Sequence, residues 1–204
     1  MKRKYIGIIL ILIGTAIIGS ALYMRYEGNK KQQQMIDEFE KTINQLDKEK
    51  PVDNSGSNSN SEYSPDLAPP SLDVKGAIGI MKIPKIDLKV AIGDGVDMNT
   101  LKYAVGHFKE TPYPGEKGNC AIAGHRSYTY SQYFNRLDQV KEGDIISITT
   151  KKGEFTYVVY KTYVVEPSEV SVLNNTKDAQ LTLITCTPVR IATHRLIIKA
   201  KLKQ

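Results

Sequence analysis

Leu181-Thr182-Leu183-Ile184-Thr185-Cys186-Thr187-Pro188 is the stretch whose reading decides the fold. Leu181, Leu183 and Ile184 interleave with Thr182 and Thr185 over the length of an ordinary strand. Pro188 cannot donate to a sheet ladder, so the strand is predicted to stop there. Cys186 therefore sits where a strand gives way to a loop, held firmly yet within reach of a substrate. Downstream, Thr193-His194-Arg195 opens a second strand-like run, Leu196 to Leu202. Upstream, the apolar run Cys120 to Gly124 delivers His125 and Arg126. A thiol, an imidazole and a guanidinium are thus expected at the ends of three separate strands.

The region around these strands has the same texture. Ala77 to Ile83, Leu88 to Ile92, Ala104-Val105, and Ile145 to Thr150 paired with Phe155 to Val165 across Lys151-Lys152-Gly153 complete a set of eight short strands. Met98 to Tyr103 is predicted as a helical turn and Ser131 to Leu137 as a short helix. Thr111 to Asn119 is loop, and so is Glu166 to Gln180, whose length alone suggests a function. Eight short strands with one or two short helices predict a mainly β fold, a single closed or nearly closed barrel over residues 72–204.

The preceding residues have other characters. Lys2, Arg3 and Lys4 lead into Tyr5 to Tyr23, nineteen residues without a charge. That is close to the ~20 residues a helix needs to cross a bilayer core. It exceeds the ~7–15 apolar residues of a cleaved signal, so residues 1–25 are expected to be an uncleaved transmembrane anchor. Leading basic residues favour a cytoplasmic N-terminus, with everything after Arg25 outside the cell. Residues 26–71 are expected to form a polar stalk and linker. Met35, Ile36, Phe39, Ile43 and Leu46 recur at helical spacing, and a Ser/Asn run then leads to Pro65, Pro69 and Pro70.

Charge and cysteine content narrow the function. The chain of 204 residues carries a formal +6. Nine basic and nine acidic residues cancel over 1–71, while 19 against 13 over 72–204 carry the whole excess. The excess lacks the clustered Arg and interleaved aromatics of a nucleic-acid groove, so no nucleic-acid partner is expected. No Cys-x-x-Cys or His-x-x-x-His spacing occurs, so no zinc site is predicted, and no cofactor. Cys120 begins a strand and reads as a small core residue; Cys186 reads as a free thiol at a strand end.

Thiolate chemistry explains why these residue types belong together. A thiol at neutral pH is only a few per cent ionised, and a nearby cation favours the charged form. An imidazole can then protonate the leaving amine, and a guanidinium can bind the oxyanion. Alternation along the last strand puts Arg195 on one face with Ile197, Lys199 and Lys201, and Leu196, Ile198, Ala200 and Leu202 on the core face. Arg195 is expected to point out of the barrel, where an extended peptide can lie. Cys186 shares a face with Ile184 and Thr182. Spacing alone does not choose His125 over His107 or His194, nor Arg195 over Arg190, and Cys186 taken by itself, without its motif, reads more often as a buried core residue. His107 is read as ordering a loop, and Arg126 as a surface or loop-anchoring residue.

Gly124-His125-Arg126, then Thr182-Leu183-Ile184-Thr185-Cys186-Thr187-Pro188, then Thr193-His194-Arg195 in the next strand resembles a sortase, a Gram-positive surface cysteine transpeptidase. Papain-like enzymes place the cysteine before the histidine, the reverse of the order here. The resemblance implies that Cys186 is the nucleophile, His125 the catalytic histidine and Arg195 the arginine. It implies a Leu-Pro-x-Thr-x sorting signal cut after Thr, a thioester on Cys186, and transfer to lipid II or another cell-wall amine. Alternatives are a pilin-polymerising enzyme or a non-catalytic anchored peptide-binding barrel. Ser64 to Pro70 carries no Asp-Pro-aromatic lid of the pilus-building class, and class D is the best match, with class A next. Glu110, Glu116 and Glu169 are the carboxylates that a calcium site like that of some class A members would draw on.

Overall fold

Alternation builds a barrel wall only if every strand turns one face inward, and the eight strands here do. A computed structural model describes residues 2–48, 76–127 and 132–203. The strands are β1 (Gly79–Ile83), β2 (Leu88–Asp94), β3 (Val105–His107), β4 (Asn119–Ala123), β5 (Ile145–Thr150), β6 (Gly153–Val165), β7 (Gln180–Thr187) and β8 (His194–Leu202). They close in the order β1-β2-β3-β4-β7-β8-β6-β5. The pairs β2/β3 and β4/β7 are parallel; all others are antiparallel. The inward face supplies one continuous core, including Met81, Val90, Ile92, Ile122, Ile148, Tyr157, Leu181, Leu183 and Ile198. Closure leaves no free edge, which disposes of the row of unpaired amides that an open sheet exposes.

Local chemistry decides the turns. Thr150 pairs with Gly153 across Lys151-Lys152, and the left-handed backbone that this tight hairpin needs falls on Gly153, at φ 134°. The helix α2 (Met98–Tyr103) begins where Asp97 accepts the amides of Asn99 and Thr100, each at 3.1 Å. The helix expected over Ser131 to Leu137 is not found among the described residues. The amide of Phe134 is spent on the carbonyl of His125, at 3.2 Å, and the chain continues with short-range bonds into a 3₁₀ turn at Leu137–Gln139. Burial of Phe134 and Leu137 in the barrel core pulls this segment inward and overrides its helical composition.

Before the barrel runs one helix, α1 (Lys2–Lys48), of 47 residues. It is, among the described residues, the helix long and apolar enough to cross a membrane. Its large apolar side chains from Ile6 to Leu22 are exposed among the described residues; Leu10, Ile11 and Leu12 are each more than 60% exposed. The second half behaves differently. Met35, Ile36 and Phe39 are buried against Ile80, Ala91, Tyr103 and Ala104, on the outer surface of β1, β2 and α2. Gln32 donates to the carbonyl of Lys89 at 3.0 Å, and Lys89 pairs with Glu40 at 2.8 Å. This half of the helix does not stand clear of the barrel as a free stalk would. The linker expectations for 49–71 lie outside the described residues.

The seam is testable. Phe39→Ala removes a buried ring and is expected to weaken docking of α1 by about 3 kcal/mol. Hydrogen exchange on the full chain in detergent should then speed up over residues 31–46 while the barrel amides stay protected. Unchanged protection over 31–46 would show that the seam does not hold the helix.

Candidate functional site

Three neighbouring strands, β4, β7 and β8, set the site by register. Cys186 of β7 is the direct partner of Arg195 of β8. On its other side β7 runs parallel to β4, with Ala123 opposite Ile184. Pairing continues past the end of β4: the amide of Gly124 donates to Ile184 O at 3.1 Å, and Thr185 Oγ1 donates to Gly124 O at 2.7 Å. His125 therefore comes level with Cys186. With neighbouring strands ~4.8 Å apart, this register puts the backbone of His125, Cys186 and Arg195 in one row across three strand ends. The three residues expected from the sequence thus fall at adjacent strand ends.

Behind this row lie two more on the same face. Ala123, Ile184 and Ile197 form the second; Ala121, Thr182 and Lys199 form the third. That face is not open to water. Residues 166–179 fold back over it, and Val172 and Leu173, in the 3₁₀ turn Val170–Leu173, pack on Ile184 and Ile197 with Phe108 and Val165. Ile197 is fully buried and Lys199 is nearly so, where an outward-facing alternation alone led to solvent. A groove of about 190 Å³ remains between roof and sheet, running from Phe108 and Val172 past Ile184 and Ile197 to Arg195.

The roof is pinned by polar groups in the third row and by Asn119, one row beyond it on β4. Lys199 Nζ donates to Val172 O at 2.9 Å. Asn119 Nδ2 donates to Val172 O at 2.9 Å and Asn174 O at 3.1 Å, and its Oδ1 accepts from Thr182 Oγ1. Burial lowers the pKa of the Lys199 ammonium. Sequence reasoning did not pick out Asn119 and Lys199. Their signal was a period-two position shared with the site residues, combined with the long segment between β6 and β7.

The ends of the row are held from below. A Cβ on Gly124 would lie 2.6 Å from the Phe134 ring, so only glycine lets that ring close under the strand that delivers His125. Arg126 ties the next turn down: its guanidinium meets Asp138 at 3.0 Å and Thr187 Oγ1 at 3.0 Å, and is almost wholly buried. It thereby links the His125 segment to the residue after Cys186, a stronger role than a surface charge. Burial lowers the pKa of the His125 imidazole, which favours its neutral form. Arg195 Nη1 donates to Ala192 O at 3.2 Å and His194 O at 3.0 Å, which orients the guanidinium.

The competing residues are used elsewhere. His107 is fully buried, with Nε2 3.2 Å from Thr111 Oγ1 and 3.1 Å from Pro112 O, and it orders the loop after β3. His194 meets Glu166 at 3.0 Å, next to Arg195 but on the other face of β8. Arg190 lies in the connection before β8, with a positive φ of 72°. Cys120 is in the barrel core; burial pushes its thiol up to about 12, and both cysteines are free. Glu116 accepts from the Tyr113 amide and pairs with Lys152, while Glu169 caps the 3₁₀ turn through Ser171. Among the described residues no group of three or more His, Cys, Asp or Glu is placed to hold a metal ion.

Known proteins resemble this chain in sequence and in fold. A sortase-domain family model matches residues 81–203. Sortase D of Bacillus subtilis is 30% identical over 203 residues, 98% of each chain. Sortase A of Listeria monocytogenes is 31% identical over 132 residues, 65% of this chain and 59% of that one. Among solved structures, a Clostridium perfringens Sortase D5 transpeptidase superposes with a TM-score of 0.67 at 28% identity, over 86% of this chain and all of that one. Sortase A of Corynebacterium diphtheriae gives 0.60 at 34% identity, over 63% and 61%. The chain belongs to the sortase family of transpeptidases and is class D-like within it.

Proposed function

We propose that this protein is a membrane-anchored cysteine transpeptidase in which Cys186 is the nucleophile, His125 the acid and base, and Arg195 the oxyanion or substrate-carbonyl donor. The observation that supports the reading is the row: Cys186 and Arg195 paired across β7 and β8, His125 just past the end of neighbouring β4, and Arg195 lining a roofed apolar groove. An extended Leu-Pro-x-Thr-x segment suits that groove, its small apolar side chains against Ile184 and Ile197 and its scissile carbonyl over Cys186.

The steps follow from the groups. The Cys186 thiol passes its proton to His125, and the thiolate attacks the Thr carbonyl. Negative charge moves to the carbonyl oxygen. Arg195 has five N–H donors, and Nη1 alone is held by backbone carbonyls, so others can face that oxygen. One such donor contributes ~10²–10³ in rate. The imidazolium then protonates the leaving amine, because an amide anion cannot depart. The thioester left on Cys186 is resolved by a second amine, from a cell-wall precursor, whose proton His125 accepts. Lys2, Arg3 and Lys4 favour a cytoplasmic N-terminus, so the barrel works on the outer face of the membrane.

Three expectations follow. With a quenched Leu-Pro-x-Thr-x peptide and an amine, Cys186→Ala should abolish cleavage. His125→Ala and Arg195→Ala should each cost at least ~10² in kcat/KM. Cleavage surviving in Cys186→Ala would end the thioester mechanism. Because burial favours neutral His125, the acid limb of the kcat/KM profile should fall below pH 6.5, the ordinary imidazole value. A limb above that value would contradict the assignment. Lys199→Met keeps the stem but removes the donor to Val172, at about 2 kcal/mol of stability. It should raise KM for the peptide several-fold with kcat little changed, since it loosens the roof and not the row; a selective fall in kcat would contradict this.

A further inference from the structure

Arg126 carries a buried charge that the transpeptidation steps leave unused. Only 7% of its side chain is exposed, and each guanidinium nitrogen has a partner. Nε donates to Asn135 O at 3.3 Å, Nη1 donates to Thr187 Oγ1 at 3.0 Å, and Nη2 meets Asp138 Oδ1 at 3.0 Å. Burying a guanidinium is costly even when it is paired, and an apolar residue of similar volume would fill the space without that cost. What an apolar residue cannot do is fix the positions of three partners through one rigid plane.

The three partners belong to the segments that carry the row. Asn135 and Asp138 lie in the connection between β4 and β5, and Thr187 follows Cys186. The parallel ladder ends with Ala123 opposite Ile184, and one further backbone bond follows it, from the Gly124 amide to Ile184 O at 3.1 Å. His125 and Cys186 both lie past that bond. Two side-chain contacts then flank His125. Thr185 Oγ1 donates to Gly124 O at 2.7 Å before it, and Arg126 reaches Thr187 after it. The Phe134 amide holds the carbonyl of His125 itself, at 3.2 Å. Thr185 and Thr187 share the core face of β7, opposite Cys186. The Arg126 contact therefore lies behind the reacting groups and acts on them through the backbone.

We infer that Arg126 is a positioning residue: anchored on Asp138, its guanidinium clamps Thr187 and so sets the separation of the His125 and Cys186 backbones. The inference rests on the reading of Cys186 as nucleophile and His125 as acid and base. Proton transfer between them needs an approach of ~2.6–3.2 Å, and a misplacement of ~1 Å costs on the order of 10² in rate. The Asp138 carboxylate at 3.0 Å balances the guanidinium charge, so the effect is one of geometry and not of field. The peptide groove ends at Arg195, and Arg126 does not line it. The clamp thus bears on kcat and leaves KM alone.

The test measures kcat and KM for the full chain in detergent micelles, with a quenched Leu-Pro-x-Thr-x peptide and saturating hydroxylamine, so that formation of the thioester sets the rate. Thr187→Val keeps the shape of the side chain and removes the acceptor; Arg126→Gln removes the clamp. Each is expected to lower kcat about tenfold, with KM within about twofold of wild type. The double variant should lose no more than about twofold beyond the worse single variant, because the two groups act as one unit. The acid limb of the kcat/KM profile should stay at its wild-type pH in both. A kcat within about twofold of wild type in folded Thr187→Val overturns the inference. So does a loss confined to KM, a multiplied loss in the double variant, or a displaced acid limb, which would assign Arg126 a field effect. Thr187 is only half-buried, so its variant keeps the test decisive if Arg126→Gln does not fold. A wild type that releases no hydroxamate overturns the transpeptidase reading itself, and this inference with it.

Discussion

The parallel pairing of β4 with β7 is the constraint on which the site depends. A parallel pair needs a long crossover, and here it is the whole β5–β6 hairpin with its flanking loops. That crossover brings two strands remote in sequence side by side, pointing the same way, so that both deliver their last residues to one rim of the barrel. β8 then returns antiparallel and starts at the same rim. The reactive groups are neighbours because three strand ends coincide. The ladder from Asn119 through Ala123, prolonged by the Gly124 amide and Thr185 hydroxyl, holds that coincidence in place.

The outward face of those strands is a gradient of environments. At one end the Asn119, Thr182 and Lys199 cluster is buried and hydrogen-bonded to the roof. In the middle Ile184 and Ile197 are dry. At the rim His125, Cys186 and Arg195 are half-buried. A buried ammonium is costly, and a lysine at this position is stable only because Val172 O accepts from it. The cost is offset by order: with the Val172 carbonyl tied to β4 through Asn119 and to β8 through Lys199, the turn at 170–173 forms a fixed groove wall. The half-buried rim places the His125 imidazole where desolvation favours its neutral form while part of the ring stays open to solvent.

The helix α1 joins the barrel to the apolar run. One unbroken ladder of backbone bonds runs from that run into the seam with β1, β2 and α2, so the orientation of the barrel relative to the candidate membrane span follows from helix geometry. A flexible stalk would leave the row free to face any direction. Docking by Met35, Ile36 and Phe39, backed by the Lys89–Glu40 pair, turns the His125 end toward the point where α1 leaves its apolar run.

What the sequence determined by itself was local. Period-two alternation marked the inward residues of β7 and β8 correctly, because a barrel strand has only two faces and one must be dry. The Gly124-His125-Arg126 and Thr182 to Pro188 segments marked which strand ends to watch, and the helical spacing of Met35, Ile36 and Phe39 marked an apolar face in need of a partner. The sequence does not determine what covers an outward face. Lys199 and Ile197 read as solvent-facing until the segment 166–179 folded over them, and the apolar face of α1 read as an amphipathic helix or stalk whose partner the sequence did not name until β1 and β2 supplied it. The helix expected near Ser131 failed for the same reason, since Phe134 and Leu137 gain more from the core than from a helical ladder. Propensity and alternation act between residues a few positions apart, whereas burial depends on which distant segment arrives; only the tertiary structure decides that.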